Sequence, residues 1–298
     1  MKHSRPIAGL ASLQANSSRS AREPRAGNFE WREWLTRASF GALLAGPAIA
    51  ATYAGGFTFA IFVAVVAFAA AREWHRMVSG PRYASAIAVS AIAIAASLGW
   101  AVAARDSQWP VWLLLLGSVL AAMCAFASGT RPLSNGLGTL YVGLPALSLV
   151  ALRIHVAQGA AAVLVLFIAV WASDTGALVL GRLLGGPKLV PALSPNKTWT
   201  GFIAGTIFAS GAVTFSVKLW GGSLWQAALL GLALALAGHC GDLFESWVKR
   251  RAGRKNSGGL IPGHGGVLDR VDSTLFAAPL AALLVFVFGL DLLCGGHP

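Results

Sequence analysis

Apolar windows of roughly 15 to 22 residues recur along most of this chain, and windows of that length are typical of helices that cross a membrane. Hydrophobic residues make up 56% of the sequence, so few charges interrupt the windows. They fall at 40–54, 57–71, 84–104, 109–127, 138–154, 160–181, 200–219, 224–242 and 274–293. The sequence therefore predicts an all-α polytopic integral membrane protein with about nine transmembrane helices.

The first two windows are shorter than the others. Gly55 and Gly56 lie between them and supply a tight turn. The two windows are therefore also compatible with a hairpin that does not fully cross the bilayer.

The basic residues indicate the orientation of the chain. With nine spans and a cytoplasmic N-terminus, 20 of the 23 Lys and Arg residues lie on one side, and only Arg105, Arg153 and Lys218 lie on the other. The positive-inside rule places the basic side in the cytoplasm. The net charge of +12 then favours contact with anionic lipid headgroups, because no exposed basic face with base-reading side chains indicates nucleic-acid binding.

The chain divides into three regions by composition. Residues 1–39 form a polar cytoplasmic tail, in which 29–37 predicts a short amphipathic helix at the membrane interface. Residues 40–158 read as a transmembrane scaffold, and 159–298 as a transmembrane catalytic region that carries nearly all of the polar chemistry.

The densest polar cluster runs from 241 to 273, in a chain with only 11% charged residues. Charge is costly at bilayer depth, so such a cluster beside apolar windows is a functional candidate. Asp242, Glu245 and Ser246 share one helix face, and a glycine-rich turn ends at Gly265 and Gly266. Glycine backbone can approach phosphate closely, and carboxylates are ligands that Mg²⁺ prefers.

Asp242 and Asp269 come from different predicted helices, so they can clamp one divalent cation between them. The plainer alternative is a solvated loop with basic side chains that reach toward the membrane surface.

Two further polar sets precede this cluster. Asp174 lies within an apolar helix, eight residues before Arg182 and near the same face, so it is either functional or simply paired with Arg182 or with backbone. The loop 188–201 places Ser194, Lys197 and Thr198 at the mouth of the next span. Lys197 taken alone is equally explained as a positive-inside anchor, and the loop lacks the glycine spacing of a Walker A motif.

Two spaced patterns run through the C-terminal cluster: Ser246-x-x-Lys249-Arg250-x4-Lys255 and Pro262-Gly263-His264-Gly265-Gly266-x-x-Asp269-Arg270-Val271-Asp272. They closely resemble the signature of phosphatidate cytidylyltransferases, the CDP-diacylglycerol synthases of membrane lipid synthesis. Upstream matches are Gly241-Asp242-x-x-Glu245-Ser246, Trp171-x-x-Asp174 with Gly181-Arg182, and Ser194-Pro195-x-Lys197-Thr198-Trp199-x-Gly201. The matches cover roughly the last 130 residues, whereas the front half matches only as a run of spans.

The resemblance implies a reaction in which CTP and phosphatidic acid give CDP-diacylglycerol and pyrophosphate. It implies Mg²⁺ held by Asp242 and Asp269, with a second cation nearby. The groups expected to neutralise or cradle phosphates are Lys197, Lys249, Arg250, Lys255, Arg270 and His264 with Gly265 and Gly266. The expected orienting or substrate-binding groups are Asp174, Arg182, Ser194, Thr198, Glu245, Ser246 and Asp272.

The resemblance also suggests a homodimer, which nothing in these residues requires. Alanine richness and a preference for Arg over Lys favour a bacterium, and hence the inner membrane with the site facing the cytoplasm.

The chain departs from the family pattern at two positions. Asn256 stands where the family usually has Asp, and Thr200 where it usually has Glu, so two carboxylates are missing near the expected site. An amide oxygen still coordinates Mg²⁺, so these departures do not by themselves exclude activity.

Three rival functions remain open at this point. A related CTP-dependent lipid kinase would share polytopic CTP chemistry, a non-catalytic paralogue would fit the departures at Asn256 and Thr200, and a transporter would need polar side chains at mid-membrane on several helices.

Overall fold

The computed structural model describes residues 45–82, 84–104, 108–254, 256–259, 265–293 and 295. Residues 45–54 are helical and are called α1. The following helices are α2 Gly56–Ser79, α3 Ala84–Ala103, α4 Trp109–Ala127, α5 Pro132–His155, α6 Gly159–Leu184, α7 Trp199–Leu219, α8 Leu224–Arg251 and α9 Leu268–Phe286. A single 3₁₀ turn, Gly80–Arg82, follows α2, and two short strands, β1 Lys188–Val190 and β2 Ser194–Thr198, join α6 to α7. The predicted tail 1–39 lies outside the described residues.

Seven of these helices, α2 to α8, are long and apolar enough to cross a membrane. This confirms the prediction of an all-α polytopic integral membrane protein. Helix α9 is not among the seven, and its first turns carry Asp269, Arg270 and Asp272. The total of nine spans and the cytoplasmic N-terminus stay predictions.

The helix is interrupted between α1 and α2 at Gly55, where φ is +64°. Gly56 also has a positive φ, +51°. Glycine adopts such angles readily, in agreement with the tight turn predicted at Gly55 and Gly56. The Arg153 Nε donates a hydrogen bond of 2.6 Å to the Thr52 carbonyl oxygen, which satisfies an acceptor at the end of α1. A side chain at Gly55 would collide with this guanidinium group.

Helix α2 continues well beyond the predicted window, which ended at 71. It runs to Ser79 because Glu73, Trp74 and Met77 extend its buried face past the last purely apolar turn. At 24 residues it is long and apolar enough to cross a membrane. A hairpin of the first two windows that does not fully cross the bilayer stays a prediction.

Buried polar groups tie α2 to its neighbours. The two ring nitrogens of the fully buried His75 contact Asn135 Oδ1 on α5 at 2.7 Å and Ser90 Oγ on α3 at 2.9 Å. Ser90 Oγ also lies 2.7 Å from Thr139 Oγ1. Hydrogen-bonded pairs of this kind satisfy polar groups where water is scarce, and they fix the end of α2 that carries Glu73.

Consecutive helices pack against each other in both halves of the chain, and α9 packs against α5 and α2 as well as α8. The last helix therefore joins the two halves. Strands β1 and β2 form an antiparallel hairpin in which Lys188 pairs with Thr198 and Val190 with Ser194. The Thr198 side chain then accepts a 3.1 Å hydrogen bond from the Gly201 N–H and caps α7.

Candidate active site

Helices α8 and α9 meet in antiparallel fashion through small residues. A Cβ at Gly241 would lie 2.4 Å from the Asp272 carbonyl oxygen, and one at Gly238 would lie 3.3 Å from the Ser273 Cβ. Missing side chains at these two positions let the helix backbones approach closely. This contact brings the acids of α9 against the polar face of α8.

Lys249 bridges the two helices where the end of α8 meets the start of α9. Its Nζ lies 2.7 Å from Glu245 Oε2 on the same helix and 2.7 Å from Asp269 Oδ1 on α9. The Glu245 side chain is fully buried, and the other two are about 15% exposed or less. Charged groups this well buried need a partner, which Lys249 supplies to both acids.

Asp269 is the most heavily hydrogen-bonded acid of the site. Besides Lys249, it accepts from the Gly266 N–H at 2.9 Å and from the Ser257 N–H at 3.2 Å, both through Oδ2. Asp269 precedes the last predicted transmembrane window, which begins at residue 274. Burial alone would raise the pKa of the Asp269 carboxyl, but the hydrogen bonds from Lys249 and Gly266 outweigh burial and hold that pKa below its ordinary value.

A second group of acids surrounds Asp242, which lies one helical turn before Glu245 on α8. Asp242 forms a salt bridge with Lys197 of β2, so the hairpin loop reaches the acids of the helices. Asp174 on α6 accepts a 3.2 Å hydrogen bond from the Ser273 hydroxyl. The carboxylates of Asp174, Asp242 and Asp272 lie close enough to repel one another.

The structure gives the two predicted metal ligands different partners. Asp242 pairs with Lys197, whereas Asp269 pairs with Lys249, and Glu245 stands between them on the polar face of α8. In the described part of the chain, no group of three or more His, Cys, Asp or Glu side chains is arranged to hold a metal ion. That both aspartates bind one cation stays a prediction.

The remaining predicted residues are placed as follows. Arg250 Nε donates to the Leu193 carbonyl oxygen at 3.2 Å, which joins α8 to the turn between the strands. Arg182 is exposed and, within the described ranges, forms no ion pair with Asp174, so pairing does not account for Asp174. Gly265 adopts a φ of +86° just before α9. Partly buried Ser194 opens β2, partly buried Ser246 lies on α8, and exposed Arg270 lies in the first turn of α9. Lys255 and His264 lie outside the described residues.

Glu73 is the main site residue that the sequence analysis missed. It comes from α2 in the presumed scaffold and is only 2% exposed. Its Oε2 accepts from the Leu268 N–H at 2.9 Å and from the Ser257 hydroxyl at 3.2 Å. The signal available in the sequence was an acid within Arg-Glu-Trp-His-Arg, directly after an apolar window.

The two departures from the family pattern have different surroundings. The Thr200 hydroxyl donates to the Gly185 carbonyl oxygen and so ties the end of α6 to the start of α7. A carboxylate at this position has no proton to donate at neutral pH. Asn256 is exposed and lines a cavity beside Ser257.

The fold and these clusters define an integral membrane protein whose acids and bases gather on helices α2, α6, α8 and α9 and on one hairpin. The model of the Cytidylyltransferase family matches residues 35–288. The chain belongs to this family and is therefore a nucleotidyltransferase.

Curated relatives agree with this membership. A protein of Brucella suis biovar 1 named phosphatidate cytidylyltransferase is 37% identical over 248 residues, which are 80% of this chain and 87% of that protein. A Staphylococcus haemolyticus protein of the same name is 35% identical over 244 residues, covering 78% of this chain and 91% of the relative. A third, from Staphylococcus epidermidis, is 43% identical over 131 residues, 43% of this chain and 50% of its own length.

Proposed function

We propose that this enzyme is a phosphatidate cytidylyltransferase, which transfers CMP from CTP to phosphatidic acid and releases pyrophosphate. The name shared by relatives that match about four-fifths of the chain supports this substrate pair. The observation that carries the proposal is the junction of α8, α9 and the β hairpin. There Lys197 and Lys249 pair with three acids of α8 and α9, namely Asp242, Glu245 and Asp269, and Arg250 ties α8 to the hairpin.

The reaction needs little from a general base. The phosphate of phosphatidic acid is already mostly dianionic at neutral pH, because its second pKa is about 6. One of its oxygens attacks the α-phosphorus of CTP, and the bond from that phosphorus to the bridging oxygen of the β-phosphate breaks. The main obstacle is repulsion between the anions, so fixed cations near the reacting phosphates lower the barrier.

The acids at this junction suit Mg²⁺ by their chemistry. Asp174, Asp242 and Asp272 repel one another, and only Lys197 pairs with any of them among the described side chains. Mg²⁺ usually takes one or two protein carboxylates and fills its other positions with water and substrate phosphate. A cage of three protein ligands is therefore not required.

When bound, Mg²⁺ would neutralise charge on the phosphates and on the departing pyrophosphate. Asp242 and Asp269 are the residues proposed to hold it. Lys197 and Arg250, at the rim of the site, would bind phosphate oxygens. Lys249 holds Asp269 in place through a 2.7 Å contact while Glu245 balances its charge.

The two substrates differ in where they dissolve, and this restricts the position of the site. CTP arrives from water, whereas the acyl chains of phosphatidic acid stay in the bilayer, so the site belongs at a membrane surface. The basic loops favour the cytoplasmic face of a bacterial inner membrane. The bacterial sources of the relatives support this location.

The test is product analysis with the purified protein in detergent, CTP labelled at the α-phosphate, and phosphatidic acid. With Mg²⁺ the proposal predicts two products, labelled CDP-diacylglycerol and unlabelled pyrophosphate. With excess EDTA it predicts neither product. A phosphorylated lipid with release of CDP would instead identify a kinase. No product from the wild type, with product after Asn256→Asp, would identify a non-catalytic paralogue.

A further inference from the structure

A cavity of about 550 Å³ lies beside the candidate active site and takes its walls from both halves of the chain. Arg72 and Arg76 come from α2, and Arg254 follows the end of α8. The segment 256–259 forms the rest of the wall, together with Glu73. The volume falls within the range of about 300–1,000 Å³ that is usual for small-molecule sites.

The three arginines are brought together by local geometry. Arg72 and Arg76 are four residues apart and so share one face of α2. Gly253, with a φ of +66°, reverses the chain after α8, and the Arg254 N–H then donates to the Lys249 carbonyl oxygen at 2.9 Å. Among the described residues, none of the three guanidinium groups forms an ion pair with a carboxylate. Converging cations without acidic partners favour a bound polyanion.

The lining also indicates which kind of anion fits. The described residues that line the cavity are polar, charged or glycine, and no large apolar side chain is among them. The three arginines suit the phosphates of a nucleotide, which together carry more negative charge than the single phosphate of phosphatidic acid.

Ser257 connects the cavity to the candidate catalytic acids. Its hydroxyl donates to Glu73 Oε2 at 3.2 Å, and its N–H donates to Asp269 Oδ2 at 3.2 Å. A triphosphate with its α-phosphate near Asp269 and Lys249 can therefore extend its β- and γ-phosphates toward the arginines.

We infer that this cavity binds the β- and γ-phosphates of CTP, and pyrophosphate after transfer, through Arg72, Arg76 and Arg254. The inference rests on the proposed function for the identity of the nucleotide. It assigns substrate binding to α2, a helix of the presumed scaffold.

The test is binding of one substrate at a time, so that no turnover occurs. Purified full-length protein in detergent is titrated separately with CTP, sodium pyrophosphate and dihexanoyl phosphatidic acid in a calorimeter. Arg76→Gln and Arg254→Gln change exposed side chains, and Arg72→Gln changes a half-buried one. Arg82→Gln, at the exposed end of the 3₁₀ turn outside the cavity, is the matched control.

Each of the three cavity variants is expected to weaken CTP and pyrophosphate binding about tenfold, because hydrogen bonds to charged partners are the strong ones. Arg82→Gln and phosphatidic acid binding should stay within about twofold of the wild type. CTP and pyrophosphate binding that is unchanged in folded Arg76→Gln and Arg254→Gln proteins would overturn the inference. Weakened phosphatidic acid binding with unchanged CTP binding would also overturn it, since the lipid phosphate would then occupy the cavity.

The two proposals fail separately. If the wild type makes CDP-diacylglycerol but the arginine variants bind pyrophosphate normally, only the assignment of the cavity as the phosphate-binding site is rejected. If the arginine variants lose CTP binding but the wild type makes no CDP-diacylglycerol, only the proposed reaction is rejected.

Discussion

The Glu73 carboxylate accepts a hydrogen bond from the Leu268 backbone N–H, 2.9 Å away and 195 residues further along the chain. Leu268 is the first residue of α9, where backbone N–H groups have no partner within the helix. Glu73 therefore fixes the start of the helix whose next residue is Asp269. Through this contact a helix of the front half positions a candidate catalytic acid.

We expect Glu73→Ala to lower CDP-diacylglycerol formation at least tenfold. The change leaves the buried Leu268 N–H and Ser257 hydroxyl without an acceptor, which costs about 1–3 kcal/mol for each unsatisfied group. Glu73→Gln keeps one acceptor oxygen and should lie between Ala and the wild type. The measurements are kcat and the unfolding temperature in detergent. Wild-type turnover in the Ala variant would refute this role.

Gly258→Ala should also impair activity, because a Cβ at this position would lie 2.3 Å from Glu73 Oε1. Gly99→Ala on α3 is the control, since a Cβ there meets nothing within 4 Å. In a Glu73→Ala background the collision is relieved, so Gly258→Ala should add little further loss. Turnover of the four proteins forms a double-mutant cycle. Fully additive losses would show that the two positions act independently.

Lys249→Gln should destabilise the protein by about 3–5 kcal/mol, because it leaves two largely buried carboxylates without their cation. Adding Glu245→Gln removes one of those carboxylates and should restore part of the stability. It should not restore turnover, since Asp269 still lacks Lys249. Thermal unfolding and product formation are measured on both variants. A double variant less stable than Lys249→Gln alone would contradict the pairing.

The fold was largely predictable because membrane spans leave a strong signal. Apolar windows located α3, α4, α6 and α7 within a few residues. The prediction stopped short at α2, because the window ends where Arg72 and Glu73 begin. These residues remain helical because Glu73 Oε2 accepts hydrogen bonds from the Leu268 N–H and the Ser257 hydroxyl, which no local pattern connects to α2.

The sequence predicted several of the charged residues that the structure brings together, but not the partners with which they pair. Spacing placed Asp242, Glu245 and Ser246 on one face of a helix, and all three lie on α8. The ion pair of Lys249 with Glu245 was not predicted. The pairing of Lys197 with Asp242 depends on how a β hairpin folds back onto a helix, which sequence spacing does not encode. The short strands β1 and β2 were likewise not predicted.

The most direct measurement compares Asp242→Asn with Asp291→Asn across a Mg²⁺ titration of CDP-diacylglycerol formation. Asp291 accepts hydrogen bonds only from nearby backbone N–H groups of Leu293 and Gly295 among the described residues, so it is a matched control. We predict that Asp291→Asn keeps wild-type turnover and that Asp242→Asn loses at least about a hundredfold at every Mg²⁺ concentration. Near-normal, Mg²⁺-dependent turnover by Asp242→Asn would contradict the assignment of this cluster as the site of CMP transfer.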